Sequence, residues 1–159
     1  MMKISSQMIF IISPIWIFLT SSFIFYLILY QAISFFNGLL VSSLLYFLTF
    51  FQDFLEFRKS GESTGLKNKK QIFVISLVLT LGFSELFWSI SFLPFSFFIL
   101  GGILAVIFTV VLDIYKENFK RSANDSLKII RILIRDIVTG VILITIFIFI
   151  SSWLPQKAS

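Results

Sequence analysis

One acidic residue, Glu85, stands alone in the stretch from Gln71 to Leu112, where every other side chain is uncharged. A charged group at the centre of a bilayer costs several kcal/mol, so an acid in such a stretch is the first place to look for chemistry. Helical spacing puts Val78, Gly82 and Ser89 on its face, Gly82 one turn before it and Ser89 one turn after, with Trp88 close by. Two roles follow. As a functional group, Glu85 would carry a proton, ligate an ion or meet the polar headgroup of a substrate. As a structural group, it would hydrogen-bond Ser, Thr or Trp88, worth about 1 kcal/mol, or reach the outer interface. Gly82 would let a neighbouring helix come close enough to meet the carboxyl.

Three further acids, Asp53, Asp113 and Asp136, stand at the ends of apolar stretches. Clustered carboxylates near a membrane surface suggest magnesium-dependent work on lipid pyrophosphates, where acids hold the cation against phosphate oxygens. The spacing argues otherwise. No D-x-x-D or D-x-x-x-D doublet occurs, and the nearest approximations, Asp53 with Glu56 and Asp113 with Glu117, have basic residues beside them. Charge pairing with Arg58, Lys116, Arg131 or Arg135 is expected instead, and for Asp53 and Asp113 it also answers the unfavourable dipole of a helix C-terminus. The sequence contains neither Cys nor His, which removes disulfides, thiolate nucleophiles, imidazole bases and the usual zinc sites. The loop Lys59 to Gly65 mixes Gly, Ser, Thr and Lys without the spacing of a phosphate-binding loop. No enzyme activity, metal or cofactor is expected.

The elements that hold these residues are set by lipid. From Ile4 to Gln52 the chain runs for 49 residues without a charge, and Ile137 to Gln156 is uncharged as well. A spanning helix needs about 20 mostly apolar residues, so such stretches belong in a membrane. Hydrophobic residues make up 58% of the chain, against roughly 45 to 50% in soluble domains. The expected fold is all-α: a polytopic transmembrane helix bundle of about five spans, forming a single domain over residues 1–159. The spans are placed near 8–29, 38–54, 71–92, 95–112 and 136–153, with loops near 55–70 and 113–135. Tyr30 to Gly38 and Pro94 supply the turns of two tight hairpins. The first span is too long for a signal peptide, lacks a small-residue cleavage site, and is expected to be retained.

Orientation comes from charge. With the N-terminus inside, twelve of the 13 Lys and Arg residues lie on the cytoplasmic side and only Lys157 lies outside, which satisfies the positive-inside rule. Tyr30, Trp88 and Trp153 then fall near the outer interface, where amphipathic aromatics favour the headgroup zone. The expected topology is N-in and C-out. Reporter fusions after Lys67 and Ser122 should report cytoplasm, and those after Ser34, Pro94 and Ser159 the outside. A cytoplasmic C-terminus would remove the fifth span or one of the hairpins.

Lys128, Arg131 and Arg135 fall at i, i+3 and i+7, on one helical face flanked by Ile129, Ile130, Leu133 and Ile137. A basic amphipathic helix leading into span five is expected, its stripe contacting anionic lipid headgroups or a partner protein. Because the cations cluster beside spans, the net charge of +5 is directed at the lipid bilayer, and no nucleic-acid partner is expected. Gly101, Gly102 and Ala105 mark helix packing, since the Gly101-x-x-x-Ala105 spacing lets another helix approach span four. Pro14 can kink span one. Ser13, Thr20, Ser21, Ser22, Ser42 and Ser43 can satisfy freed backbone groups or line a polar seam.

The run Glu85-Leu86-Phe87-Trp88-Ser89-Ile90-Ser91-Phe92-Leu93-Pro94-Phe95-Ser96, continuing to Leu100-Gly101-Gly102-Ile103-Leu104-Ala105, resembles a segment of small multi-pass membrane proteins from small-genome bacteria. The resemblance implies that the third and fourth spans form a distinctive hairpin, and it brings no activity with it. Heavy use of Phe, Ile, Ser and Lys fits an AT-rich bacterial genome. Size and span count are also similar to a membrane subunit of the bacterial cell-shape machinery, without a shared motif. The expected function is that of a non-enzymatic accessory or scaffold subunit of the bacterial cytoplasmic membrane, with a membrane-protein partner or as a homo-oligomer. The alternative is a small transporter or lipid flippase that uses Glu85 as its protonatable residue.

Overall fold

The computed structural model describes residues 6–59, 68–119 and 126–151, without the side chains of 6–11, 126–133, 136, 147, 150 and 151. Five helices fill these segments: α1 (Ser6–Leu29), α2 (Phe35–Lys59), α3 (Lys69–Ser91), α4 (Phe97–Phe119) and α5 (Ser126–Ser151). No strand occurs among the described residues. Helices α1 to α4 are each long and apolar enough to cross a membrane, which fits an integral membrane helix bundle, while the described apolar stretch of α5 is the shorter Ile137–Ile146. Trp153, placed at the end of span five, lies outside the described residues.

The helices outlast the apolar spans. α2 runs five residues past Phe54, α4 seven past Leu112, and α5 begins ten before Asp136. Hydropathy marks where hydrocarbon begins and ends, whereas backbone hydrogen bonds carry a helix onward into the headgroup zone without regard to side-chain polarity. The basic approach segment and the fifth apolar stretch are therefore one helix.

Local chemistry sets the turns. Gln31 takes a left-handed conformation with φ 56, and the amides of Gln31 and Ala32 bond back to Ile28 and Leu27, closing the end of α1 in the way a C-terminal glycine usually does. Pro94 has no amide to continue α3, and the chain restarts as α4 with the Ser96 carbonyl accepting from Ile99 and Leu100. At the start of α3, the Gln71 side chain accepts a bond from the Asn68 amide at 3.3 Å, as in half of a capping box. Pro14 lies within the continuous α1 helix.

Antiparallel pairing follows from these short connections. Ser13 meets Asp53 and Ser21 meets Tyr46 between α1 and α2, and Ser43 meets Ser84 between α2 and α3. The most extensive interface joins α1 to α4, followed by α2 with α3, while α5 packs on α4. Aromatic rings fill the centre. Phe50 of α2, Phe83 of α3 and Phe108 of α4 form a triad with centroid distances of 4.7, 5.1 and 5.8 Å. Phe25 of α1 stacks on Phe87 of α3 at 4.3 Å, bringing α1 into the same core. Such offset and edge-on pairs add about 0.5–1.5 kcal/mol each to simple burial. The antiparallel order also gathers Asp53, Arg58, Lys69, Asp113, Lys116 and Arg135 at one end of the bundle.

Candidate functional site

The face of α3 that carries Glu85 points away from the core. Glu85, Ser89 and Gly82 are exposed, and so are Val78 and Trp88, at 56% and 52%. A Cβ added to Gly82 would meet nothing within 4 Å. The close approach expected at Gly82 therefore does not take place within the described chain. The reason lies on the opposite side of the helix, where Phe83 and Phe87 fill the core at 2% and 0% exposure. α3 turns Phe83 and Phe87 inward, with Ser76 and Thr80 also buried, and presents Gly82, Glu85 and Ser89 outward together with Val78 and Trp88. Glu85 is sixteen residues into the helix, at about 24 Å of rise, so the fold brings no described cation to its depth from the charged end.

The polar groups that the fold does bring together lie at the charged end. Asp53 is 1% exposed, and its Oδ1 accepts a hydrogen bond from Ser13 Oγ of α1 at 2.7 Å. Its Oδ2 is buried without a hydrogen-bond partner among the described residues. Lys116 of α4, itself 6% exposed, acts on the Asp53 carboxyl electrostatically. Three helices thus contribute to one buried cluster. Lys116 is one of the cations that sequence offers to Asp53. Ser13 is not singled out there, because a contact between residues 40 positions apart depends on how two helices face each other.

Asp53 heads a polar row on α2, where Ser42, Tyr46 and Thr49 are also buried at helical spacing. The row does not join into a path. Ser21 and Tyr46 share a hydrogen bond at 2.9 Å, but Ser13 and Ser21 are separated by two turns, about 12 Å, with Ile17 fully buried between them. Thr49 turns its hydroxyl to the Leu45 carbonyl, Ser42 to that of Leu39, and Thr20 to that of Trp16. Ser22 Oγ is buried without a hydrogen-bond partner among the described residues. Apart from Ser22, these hydroxyls are thus divided between interhelical bonds and backbone satisfaction.

Two cavities flank this end. One of about 450 Å³ lies between α1 and α2, lined by Trp16, Gln52 and Asp53 among others. A larger one of about 530 Å³ runs between α1, α4 and α5, with Asp113 and Arg135 among its lining residues. Lys128 and Arg131, placed with Arg135 in the basic stripe, have side chains outside the described residues. Gly101 lies against Ser22 of α1, and Gly102 and Ala105 are buried beside it. Among the described residues no three Asp or Glu side chains converge as metal ligands would. Compared with known proteins, the chain matches no protein-family model, no curated protein and no solved structure.

Proposed function

We propose that the chain is a non-enzymatic accessory or scaffold subunit of the bacterial cytoplasmic membrane, with its charged end in the cytoplasm, and that a membrane-spanning helix of a partner protein docks on the outer face of α3. The outward direction of Glu85 carries this proposal. A carboxyl facing hydrocarbon is costly when ionised and leaves a polar group without a partner when neutral. A partner helix with a hydrogen-bond donor at that depth removes the cost, and bare Gly82 one turn away admits its backbone. A second copy fits less well, because a two-fold pair of parallel α3 helices would bring Glu85 toward its own equivalent. The transporter alternative is less supported, since Glu85 lies across α3 from the packed interior and a route through the chain would not pass it.

Purified in mild detergent from its own membranes, the wild-type protein should bring a stoichiometric partner. Glu85→Leu should lose that partner and Glu85→Gln keep it, since the amide retains both a donor and an acceptor. Both variants should melt like the parent, within the roughly 0.5 kcal/mol typical of exposed positions. The chain has no cysteine, so Gly82→Cys offers a unique crosslinking site that should reach the partner, while Leu19→Cys on the exposed side of α1 should not. A crosslinked homodimer would replace the partner with a second copy. A protein that purifies alone, and whose proton-linked transport in liposomes disappears with Glu85→Gln, would replace the scaffold with the transporter.

A further inference from the structure

We propose that the groove between α1, α4 and α5 binds one anionic phospholipid, with an acyl chain lying along α4 and the phosphate at Arg135. The groove exists because both α1 and α5 pack on α4 while small residues keep its floor low. Gly102, Ala105, Thr109 and Asp113 line it from α4, Pro14 and Phe18 from α1, and Thr139 and Gly140 from α5. The spacing of the α4 residues, at i, i+3, i+7 and i+11, makes them one continuous face.

Three properties of this groove fit a phospholipid. Its volume of about 530 Å³ lies within the usual range for small-molecule sites, roughly 300–1,000 Å³. From Gly102 to Asp113 the helix rises about 16 Å, close to the roughly 15 Å depth of one leaflet's hydrocarbon. The polarity runs the same way as a lipid: Leu143 and Gly102 line the deep end, while Asp113 and Arg135 stand at the end where the charged residues of the bundle gather. The headgroup is chosen by charge. Arg135 is exposed at the mouth. A guanidinium pairs with phosphate through parallel hydrogen bonds, and basic pockets between spanning helices favour anionic headgroups.

The test is to reconstitute the protein in bilayers of equal parts phosphatidylglycerol, phosphatidylethanolamine and phosphatidylcholine, extract it in mild detergent, and weigh it by native mass spectrometry. One retained phosphatidylglycerol per chain is expected. Arg135→Ala should reduce that preference about fivefold, the factor for one basic residue at an anionic surface, and Arg135→Lys should keep most of it. Thr139→Phe fills the groove from the exposed wall of α5 and should abolish retention of every lipid, while Lys59→Ala, a basic residue away from the groove, should change nothing. Equal retention of the three lipids overturns the proposal. So does a preference for phosphatidylethanolamine, which would place the headgroup's ammonium at Asp113, or an undiminished signal from Thr139→Phe.

Discussion

Gly101→Leu should destabilise the detergent-solubilised protein by about 3 kcal/mol or more, and even Gly101→Ala by about 2 kcal/mol, at the upper end of overpacking costs. A Cβ at this position would enter space held by the Ser22 hydroxyl, and it would stand 2.9 Å from the Ser22 backbone nitrogen and 3.0 Å from its Cβ. Side chains can rotate away, but the backbone of a helix cannot, so α1 and α4 must separate along the most extensive interface of the bundle. Removing the hydroxyl should therefore give little relief. Ser22→Ala in the Gly101→Ala background is expected to recover well under half of the loss, and full recovery would mean that the hydroxyl alone is responsible. Thermal melts followed by circular dichroism in a single detergent would measure all of these variants.

The other glycines mark the scale. A Cβ at Gly38 would meet Ile28 Cδ1 at 2.6 Å, but this is the far end of a flexible side chain, and Gly38→Ala should cost only about 1 kcal/mol. Gly82 has open space, so for the isolated protein Gly82→Ala should be neutral or stabilising by about 0.5 to 1 kcal/mol, as for an ordinary mid-helix glycine.

Those differences also show what hydropathy can and cannot convey. Uncharged runs locate the apolar helices, because an unpaired charge in hydrocarbon is excluded for the same reason in every fold. The periodicity around Glu85 correctly groups Val78, Gly82 and Ser89 on one face of α3. It does not say which way the face points, because lipid is as apolar as a helix core and no amphipathic contrast separates the two. Hence Gly101 and Gly82, indistinguishable as small residues in apolar runs, end up in a tight interface and in open space respectively. The ends of α2, α4 and α5 were illegible for a related reason: hydropathy changes at the headgroup zone and the helix does not. Ser13 and Asp53 show the remaining gap, since 40 residues of sequence separate two groups that the α1–α2 hairpin places 2.7 Å apart.

Asp53→Leu and Lys116→Leu should each destabilise the protein by about 3 kcal/mol, and the double variant by less than either single change. Asp53 and Lys116 are 1% and 6% exposed, so each was removed from water on folding, and the Lys116 charge acts on the Asp53 carboxyl against part of the cost of its burial. Removing one member of such a pair leaves an uncompensated charge in the core, typically costing 3–5 kcal/mol. Removing both takes away the attraction and the burial penalty together. Leucine in both places is often nearly neutral when it fills the volume. Ser13→Ala should be milder, about 2 kcal/mol, because it deletes a hydrogen bond to a buried carboxyl and leaves the Lys116 charge in place. The signature is the strongly non-additive cycle. If the two single losses instead summed in the double variant, the carboxyl and the ammonium would be stabilised independently, and the cluster joining α1, α2 and α4 would be a coincidence of position rather than a unit.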